Sequence, residues 1–277
     1  MRTVSILLLV VALAGPALAD APCSRVDALP VIARIQEKDG TRFVLRGRLG
    51  RKRAARMARL AQAMVRDVSR RFLQQRDGSK RAPVDVCLFA TTRAYRAFVQ
   101  GVYGDDAEHS ELGFYSPSRR LVVANLGRSA GNLRHELVHP LLGDDFDDLP
   151  AWLNEGLGAL YGSARRTRSG FRFLVNYRLR HLQAARRAGR LPSLDELAAS
   201  TEREVYGDDA GTYYALARYL LLYLEREGKL DTFVRTLRAK PVTTAWQRTV
   251  LRRFVDQQAF LVWTGKLRYP RRSGSRR

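Results

Sequence analysis

The spacing of apolar residues divides the chain into a first part with strand-like segments and a later, helical part. Short apolar runs at 42–46 and 84–89 predict two strands. Between them, apolar residues recur every three to four positions over 52–75, which predicts one long amphipathic helix. Residues 20–40 contain two prolines and follow neither period, so we expect them to be irregular.

A short helix and a hairpin complete the first part. Thr91 or Thr92 is a suitable N-cap for a helix that runs through Val99. Residues 113–124 consist of two strand-like segments around the turn sequence Ser-Pro-Ser, which is typical of a hairpin. The first part therefore predicts a small mixed sheet covered by helices.

From residue 129 onward the apolar residues follow the helical period. The pattern predicts helices at 151–161, 173–187, 193–199 and 211–227, with more from 230 to about 263. The fold class is therefore α+β, with a small N-terminal sheet followed by a mainly helical half. The basic tail at 269–277 lacks an apolar pattern, and we expect it to be disordered.

The N-terminus predicts export. An uncharged apolar run from Val4 to Ala14 follows Arg2, and Ala17-Leu18-Ala19 ends on small residues as signal-peptidase sites do. The alternative is a membrane anchor, but the run is shorter than the roughly 20 residues that span a bilayer. We therefore predict a signal peptide over 1–19, a periplasmic or secreted mature protein, and no membrane-spanning segment after cleavage.

The net charge raises the question of an anionic partner. The chain has 49 Lys and Arg against 27 Asp and Glu, a formal charge of +22. Nucleic acid would fit this charge, but the predicted export argues against it. An anionic envelope surface is the partner that remains, and a merely solvated basic surface is the alternative.

Two cysteines stay in the mature chain, Cys23 and Cys87. An even number in an oxidising compartment favours a disulfide between them. Cys87 lies in an apolar strand, so a buried free thiol is the alternative reading.

The sequence His135-Glu136-Leu137-Val138-His139 carries the strongest chemical signal. On a helix, residues four apart lie about 40° apart around the axis, so both imidazoles point toward one place. Two such ligands suit Zn²⁺, and Glu136 lies close enough to accept a proton from water at that metal. Only four histidines occur in the chain, which makes a chance match rare. Pro140 directly after His139 predicts a helix end or kink there.

A catalytic zinc site needs a third protein ligand, and Glu155 is the candidate. It lies on the predicted helix after Pro150, off the apolar stripe formed by Leu153, Leu157 and Leu160. The alternative is a surface carboxylate near a helix start. Two glycines in this helix, at 156 and 158, indicate close packing, for which the His135 helix is the natural partner.

The His-Glu-Leu-Val-His motif followed by Trp-Leu-Asn-Glu-Gly resembles the gluzincin metallopeptidases, and within them the peptidase-MA-like group. The hairpin sequence Gly-Phe-Tyr-Ser-Pro and the late helix around Tyr213 are also similar. The resemblance implies a zincin-like domain over 20–268, with an α/β part at 20–128 and a helical part at 129–268. It implies zinc held by His135, His139 and Glu155, and a peptide or protein substrate.

In that reading Glu136 is the general base for water activated by zinc. The candidates to stabilise the transition state are Tyr213, which is preferred, and Tyr214, with His181 behind them. Many gluzincins have an aspartate one turn after the third ligand, where this chain has Ala159. The group that orients the ligands must then come from elsewhere, for example from the acidic run at 144–148.

Two other functions remain open. One is a catalytically inactive zincin fold that serves as an envelope binding or scaffold module. The other is a basic surface-binding protein whose main feature is its charge. Intact His135, Glu136, His139 and Glu155 favour the enzyme over the inactive fold, and salt-sensitive binding to anionic envelope material without metal dependence would favour the surface-binding protein.

Overall fold

A computed structural model describes residues 25–37, 40, 42–74, 82–104 and 110–269. Their contacts form two compact units, Met1–Asp145 and Phe146–Arg277. The predicted boundary between the α/β part and the helical part lies earlier in the chain, between residues 128 and 129. The structural division keeps the histidine motif in the same unit as the sheet. The predicted signal peptide, Cys23 and the tail from residue 270 lie outside the described residues.

The first unit is built on a five-stranded mixed sheet in the order β1-β2-β3-β5-β4. The strands are β1 (Val31–Gln36), β2 (Arg42–Arg46), β3 (Val84–Phe89), β4 (Gly113–Ser116) and β5 (Leu121–Asn125). The central pairs β2–β3 and β3–β5 are parallel, and the outer pairs β1–β2 and β4–β5 are antiparallel. The predicted hairpin is β4–β5, and the predicted α+β class with a mixed sheet is confirmed.

A long amphipathic helix, α1 (Arg51–Phe72), connects β2 to β3. Its buried face carries the apolar residues Met57, Ala61, Met64, Val65, Val68 and Phe72. Helix α1 starts one residue before the predicted range and ends earlier, because the backbone at Leu73 is extended. A second helix, α2 (Thr92–Tyr103), follows β3, and its N-cap is the predicted Thr91, whose hydroxyl accepts from the Ala94 N–H.

The prediction that residues 20–40 are irregular is wrong for β1. Only Ile35 of this strand is fully buried, and Arg34 and Gln36 are exposed, as suits an edge strand. An exposed edge strand of mixed polarity does not display the clean alternation that identifies half-buried strands. Pairing with β2 supplies its backbone hydrogen bonds instead.

The second unit is largely helical. Its helices are α5 (Ala151–Gly162), α6 (Arg178–Arg187), α7 (Leu194–Ala199), α8 (Glu202–Tyr206), α9 (Ala210–Arg226), α10 (Leu230–Arg238), α11 (Thr244–Phe254) and α12 (Gln257–Lys266). Two short strands, β6 (Arg165–Arg166) and β7 (Phe171–Arg172), form a hairpin between α5 and α6. Helix α9 is the central element, since it packs against α5, α6, α8, α10 and α12.

The two central helices of this unit approach closely at Gly156. A Cβ placed there would lie 2.8 Å from Leu221 Cδ1 and 3.1 Å from Ala217 Cβ, both on α9. The glycine that suggested close packing with the His135 helix therefore packs on α9. Nearby on α9, the buried Arg218 donates to the carbonyls of Ala159 and Leu174. Burial lowers the pKa of Arg218 to about 10.

Two further predictions for this unit need correction. The helix predicted at 173–187 begins only at Arg178, because the Asn176 side chain accepts from the Arg178 N–H and so replaces a helical partner. Helix α8 was not predicted at all. It has only five residues, fewer than a hydrophobic period needs, and it starts with a capping box of Thr201 and Glu204.

Cys87 is a free thiol buried in β3. Burial raises the pKa of the Cys87 thiol to about 12. Its predicted disulfide partner, Cys23, lies outside the described residues.

Among the residues that the structure describes, no helix combines the length and the apolar composition needed to cross a bilayer.

The close approach at Gly156 makes a stability prediction. Gly156→Ala is expected to destabilise the second unit by about 1–3 kcal/mol, because the added methyl overpacks the contact with α9. Gly211→Ala is the control in the same unit, since its Cβ would meet only His181 Nδ1 at an ordinary 3.6 Å. Urea denaturation followed by circular dichroism measures both. Equal stability of the two variants would contradict the packing described here.

Candidate metal centre

The histidine motif lies on two short consecutive helices, α3 (Ala130–Glu136) and α4 (Val138–Gly143). In one continuous helix the N–H of residue 140 would bond to the carbonyl of Glu136. Proline has no N–H, so this bond is lost at Pro140 and the helix is interrupted at Leu137. Leu137 keeps right-handed helical angles, φ −69° and ψ −20°, so the chain continues in nearly the same direction. The interruption therefore lies at Leu137, before His139 rather than at it, and it does not separate the two histidines.

The start of α3 is fixed to the end of β5. The Ser129 hydroxyl caps the helix by accepting from the Gly131 N–H at 2.9 Å. Asn132 donates to the carbonyl of Asn125 at 3.0 Å. The fully buried Asn125 side chain in turn donates to the Glu111 carbonyl and accepts from the Gly127 N–H. These bonds set the position from which the motif helix starts.

Three potential ligands meet where α3 passes into α4. One side-chain ligand atom each of His135, Glu136 and His139 lies within 4.8 Å of the other two. The two imidazole centroids are 4.9 Å apart with the rings at 77°, and His139 Nε2 lies 3.6 Å from Glu136 Oε2. Glu136 and His139 are 6% and 8% exposed. The sequence prediction that these side chains share one place is therefore confirmed.

Glu136 packs directly on the sheet edge at Gly113, the first residue of β4. A Cβ on Gly113 would lie 3.1 Å from Glu136 Cγ, 3.3 Å from Glu136 Oε1 and 2.7 Å from the Val123 carbonyl oxygen. The backbone at Gly113 also has φ +148°, which favours glycine. Burial and then the charge of Glu136 raise the pKa of Tyr95 in the neighbouring helix α2.

The far end of the motif is also tied to the hairpin. Arg120, in the turn before β5, donates to both carboxylate oxygens of Asp144 at 2.8 Å. Asp145 accepts from the backbone N–H of Gln74, beyond the end of α1. These two aspartates of the acidic run hold the end of α4 in place, while Asp147 and Asp148 are exposed.

Glu155 belongs to the second unit and is buried on α5. The Tyr206 hydroxyl donates to Glu155 Oε1 at 3.1 Å. Tyr214 is buried beside it, and burial together with the nearby Glu155 charge raises the pKa of Tyr214 well above its usual value. The guanidinium of Arg178 lies 4.9 Å from the centroid of the Tyr214 ring. The role of Glu155 as the third zinc ligand stays a prediction.

Tyr213 has different neighbours. Partial burial and the charges of Glu204, Glu196 and Asp209 raise its pKa. The structure thus brings Tyr206 and Tyr214, rather than Tyr213, to Glu155. The role of Tyr213 in transition-state stabilisation also stays a prediction.

Sequence reasoning missed three residues around these groups: Asn125, Gly113 and Tyr206. Asn125 is a polar residue at the end of an apolar strand, which is the signal that could have identified it. Gly113 was noticed only as part of the hairpin. Tyr206 lies at the end of α8, which is too short to give a hydrophobic period, so no local signal pointed to it.

The donor set of the first unit fits zinc. Imidazole nitrogens are ligands that zinc takes, at about 2.0–2.1 Å from the metal. Two nitrogens on one ion are then at most about 4.2 Å apart, and the observed limit of 4.8 Å for the three side chains is close to this separation. His135 and His139 would hold the metal, with Glu136 beside it.

Metal content tests this site. We expect about one zinc per chain in residues 20–277 purified without chelator, and none in His135→Ala, because a single remaining imidazole binds too weakly. His181→Ala is the control, since that histidine is exposed on α6. Elemental analysis measures all three. Equal zinc in the His135→Ala variant would rule out the site.

The contact at Gly113 makes a second prediction. Gly113→Ala is expected to displace Glu136 and to lower any hydrolytic activity at least about tenfold while zinc stays bound. Gly104→Ala is the matched control, because it imposes comparable strain at φ +85° with nothing within 4 Å of its Cβ. Metal content and turnover of a fluorogenic peptide library are measured together. Equal activity losses in both variants would assign the effect to backbone strain alone.

No protein-family model matches the chain, and no curated protein matches it in sequence.

Proposed function

We propose that this chain is an exported zinc-dependent metallopeptidase with a zincin-like, gluzincin-type site. The observation that carries the proposal is the group of His135, Glu136 and His139, whose ligand atoms lie within 4.8 Å of one another and in which Glu136 and His139 are buried. Burying a carboxylate beside an imidazole costs free energy, and such costs are concentrated at metal and catalytic sites. The residue types and their spacing suit a hydrolase.

His135 and His139 have the task of binding zinc through neutral imidazole nitrogens. When bound, zinc supplies Lewis acidity, which polarises a carbonyl group and makes water more acidic. Two histidines leave positions on the ion for a third ligand and for water. Glu155 is the proposed third ligand, as the resemblance implies.

Tyr206 and Tyr214 support that role for Glu155. A carboxylate ligand is usually oriented by hydrogen bonds from residues around it. Here the Tyr206 hydroxyl donates to Glu155 Oε1 at 3.1 Å, and Tyr214 lies beside the same carboxylate. These tyrosines orient Glu155 itself, whereas the aspartate that many gluzincins carry where this chain has Ala159 orients a ligand histidine.

Glu136 is the proposed general base. Its carboxylate accepts a proton from the attacking water and later passes it to the leaving amine. The packing on Gly113 limits the side-chain rotamers of Glu136, so that its oxygens stay near the two imidazoles. A fixed base of this kind avoids the entropic cost of finding the reactive geometry in every turnover.

The sheet edge at β4 is the proposed binding place for the substrate chain. Among the described strands, β4 pairs with β5 alone and forms one edge of the sheet. An extended peptide can add to such an edge through backbone hydrogen bonds. Gly113 lies on β4 directly at Glu136, and the preceding Leu112 is 41% exposed, which offers an apolar contact for a substrate side chain.

The test is the variant Glu136→Gln. It is expected to keep zinc and to lose about 10²–10⁴-fold in peptide hydrolysis, because the amide cannot accept the proton. The measurement compares turnover of the peptide library with metal content in the same preparation.

Retained hydrolysis in Glu136→Gln would refute the assigned base. Zinc binding without hydrolysis in the unchanged protein would favour the alternative, an inactive zincin-fold module that binds or scaffolds in the envelope. Salt-sensitive binding to anionic material without any zinc would favour the basic surface-binding protein.

A further inference from the structure

Helix α1 carries a row of cations on one face, formed by Lys52, Arg56, Arg59, Arg66 and Arg70; we call it the α1 stripe. At 100° per residue these five positions fall within an arc of about 80° around the helix axis. At 1.5 Å per residue they extend over about 27 Å along the axis. All five side chains are exposed, and the apolar positions of α1 lie on the opposite face.

Few acidic groups balance this row. Arg70 pairs with Asp67 at 3.1 Å, and Arg66 lies 4.0 Å from Glu37. Within the part of the chain that the structure describes, no ion pair joins Lys52, Arg56 or Arg59 to a carboxylate. Among the described residues, no carboxylate therefore compensates the positive charge in the N-terminal half of the α1 stripe.

The position of these charges in the helix makes them unfavourable for folding. Arg51 and Lys52 are exposed in the first turn of α1, which contains no acidic residue, and Gly50 provides no side-chain cap. Arg53 in the same turn has a structural role, since it donates to the carbonyls of Ala90 and Leu126. Cations at a helix N-terminus are repelled by the partial positive charge of the helix dipole. A cost of this kind at an exposed and easily changed position is best explained by a partner that needs the charges.

We propose that the α1 stripe binds the surface of a membrane that contains anionic phospholipids. The five charges lie on one straight face, so all of them can contact a flat layer of phosphate groups at once. Attraction of this type adds up over the cations close to the surface. The predicted export brings the mature protein to the envelope, where nucleic acid is not the available polyanion.

The residues of the stripe also define the mode of binding. The positions between the cations include Ala55 and Ala63 and no aromatic residue, so nothing on this face inserts into the lipid layer or stacks on bases. Burial of the opposite face of α1 holds the cations in place before binding. The structure thus predicts peripheral, salt-reversible binding that does not depend on zinc.

The test uses residues 20–277 and vesicles of phosphatidylcholine with about 30% phosphatidylglycerol. The variant carries Lys52→Gln, Arg56→Gln and Arg59→Gln. We expect roughly a hundredfold weaker binding to these vesicles, because three cations leave the lipid surface. Vesicle co-sedimentation measures the affinity, and circular dichroism checks that the fold is kept.

The matched control carries Arg187→Gln, Arg190→Gln and Arg226→Gln. These arginines are exposed in the second unit, and the control has the same net charge as the α1 variant. Its affinity should change less than about twofold. A second α1 variant with Arg56→Lys and Arg59→Lys should bind as the unchanged protein does, since it keeps the charges.

Equal losses in the variant and its control would overturn the proposal, because net charge alone would then explain binding. Binding to pure phosphatidylcholine vesicles would overturn it as well. Tight binding of duplex DNA without binding to anionic vesicles would assign the stripe to nucleic acid instead. The zinc-site variant His135→Ala should bind vesicles normally, which separates this proposal from the proposed peptidase activity.

Discussion

The burial of Glu136 close to His135 and His139 is the constraint on which the arrangement of the first unit around the site depends. A carboxylate with 6% exposure is costly unless its surroundings are arranged around it. Gly113 gives it room against β4, Ser129 and Asn125 fix the helix that carries it, and Arg120 fixes the helix that follows. These contacts fix the position of Glu136 and the histidines, and they add little to the apolar core.

The interruption at Leu137 illustrates how a locally unfavourable residue is accommodated. Pro140 removes one backbone bond, and a continuous helix would be strained at that turn. Two short helices with helical angles between them avoid the strain and leave His135 and His139 side by side. The interruption at Leu137 removes a backbone hydrogen bond but hardly changes the path of the chain. His135 and His139 therefore keep the relative position that residues i and i+4 have on a helix.

Sequence alone could predict the parts of the fold that rest on a hydrophobic period. Helix α1, strands β2 and β3, the β4–β5 hairpin and α9 each bury one regular set of apolar residues, and the histidine spacing follows from helix geometry. Strand β1 and helix α8 could not be found in this way, since one is mostly exposed and the other has five residues. Gly113 and Tyr206 act through contacts between segments distant in sequence, which no local pattern encodes.

The hairpin and the motif helices are joined at two separate places, Glu136 on Gly113 and Asp144 with Arg120. Two attachments, unlike one, prevent rotation of one element about the other. Strand β4 and the two histidines are therefore held in a fixed position relative to each other. A peptide that adds to the sheet edge would be held in one register relative to the histidines, because both attachments fix the hairpin on the helices that carry them.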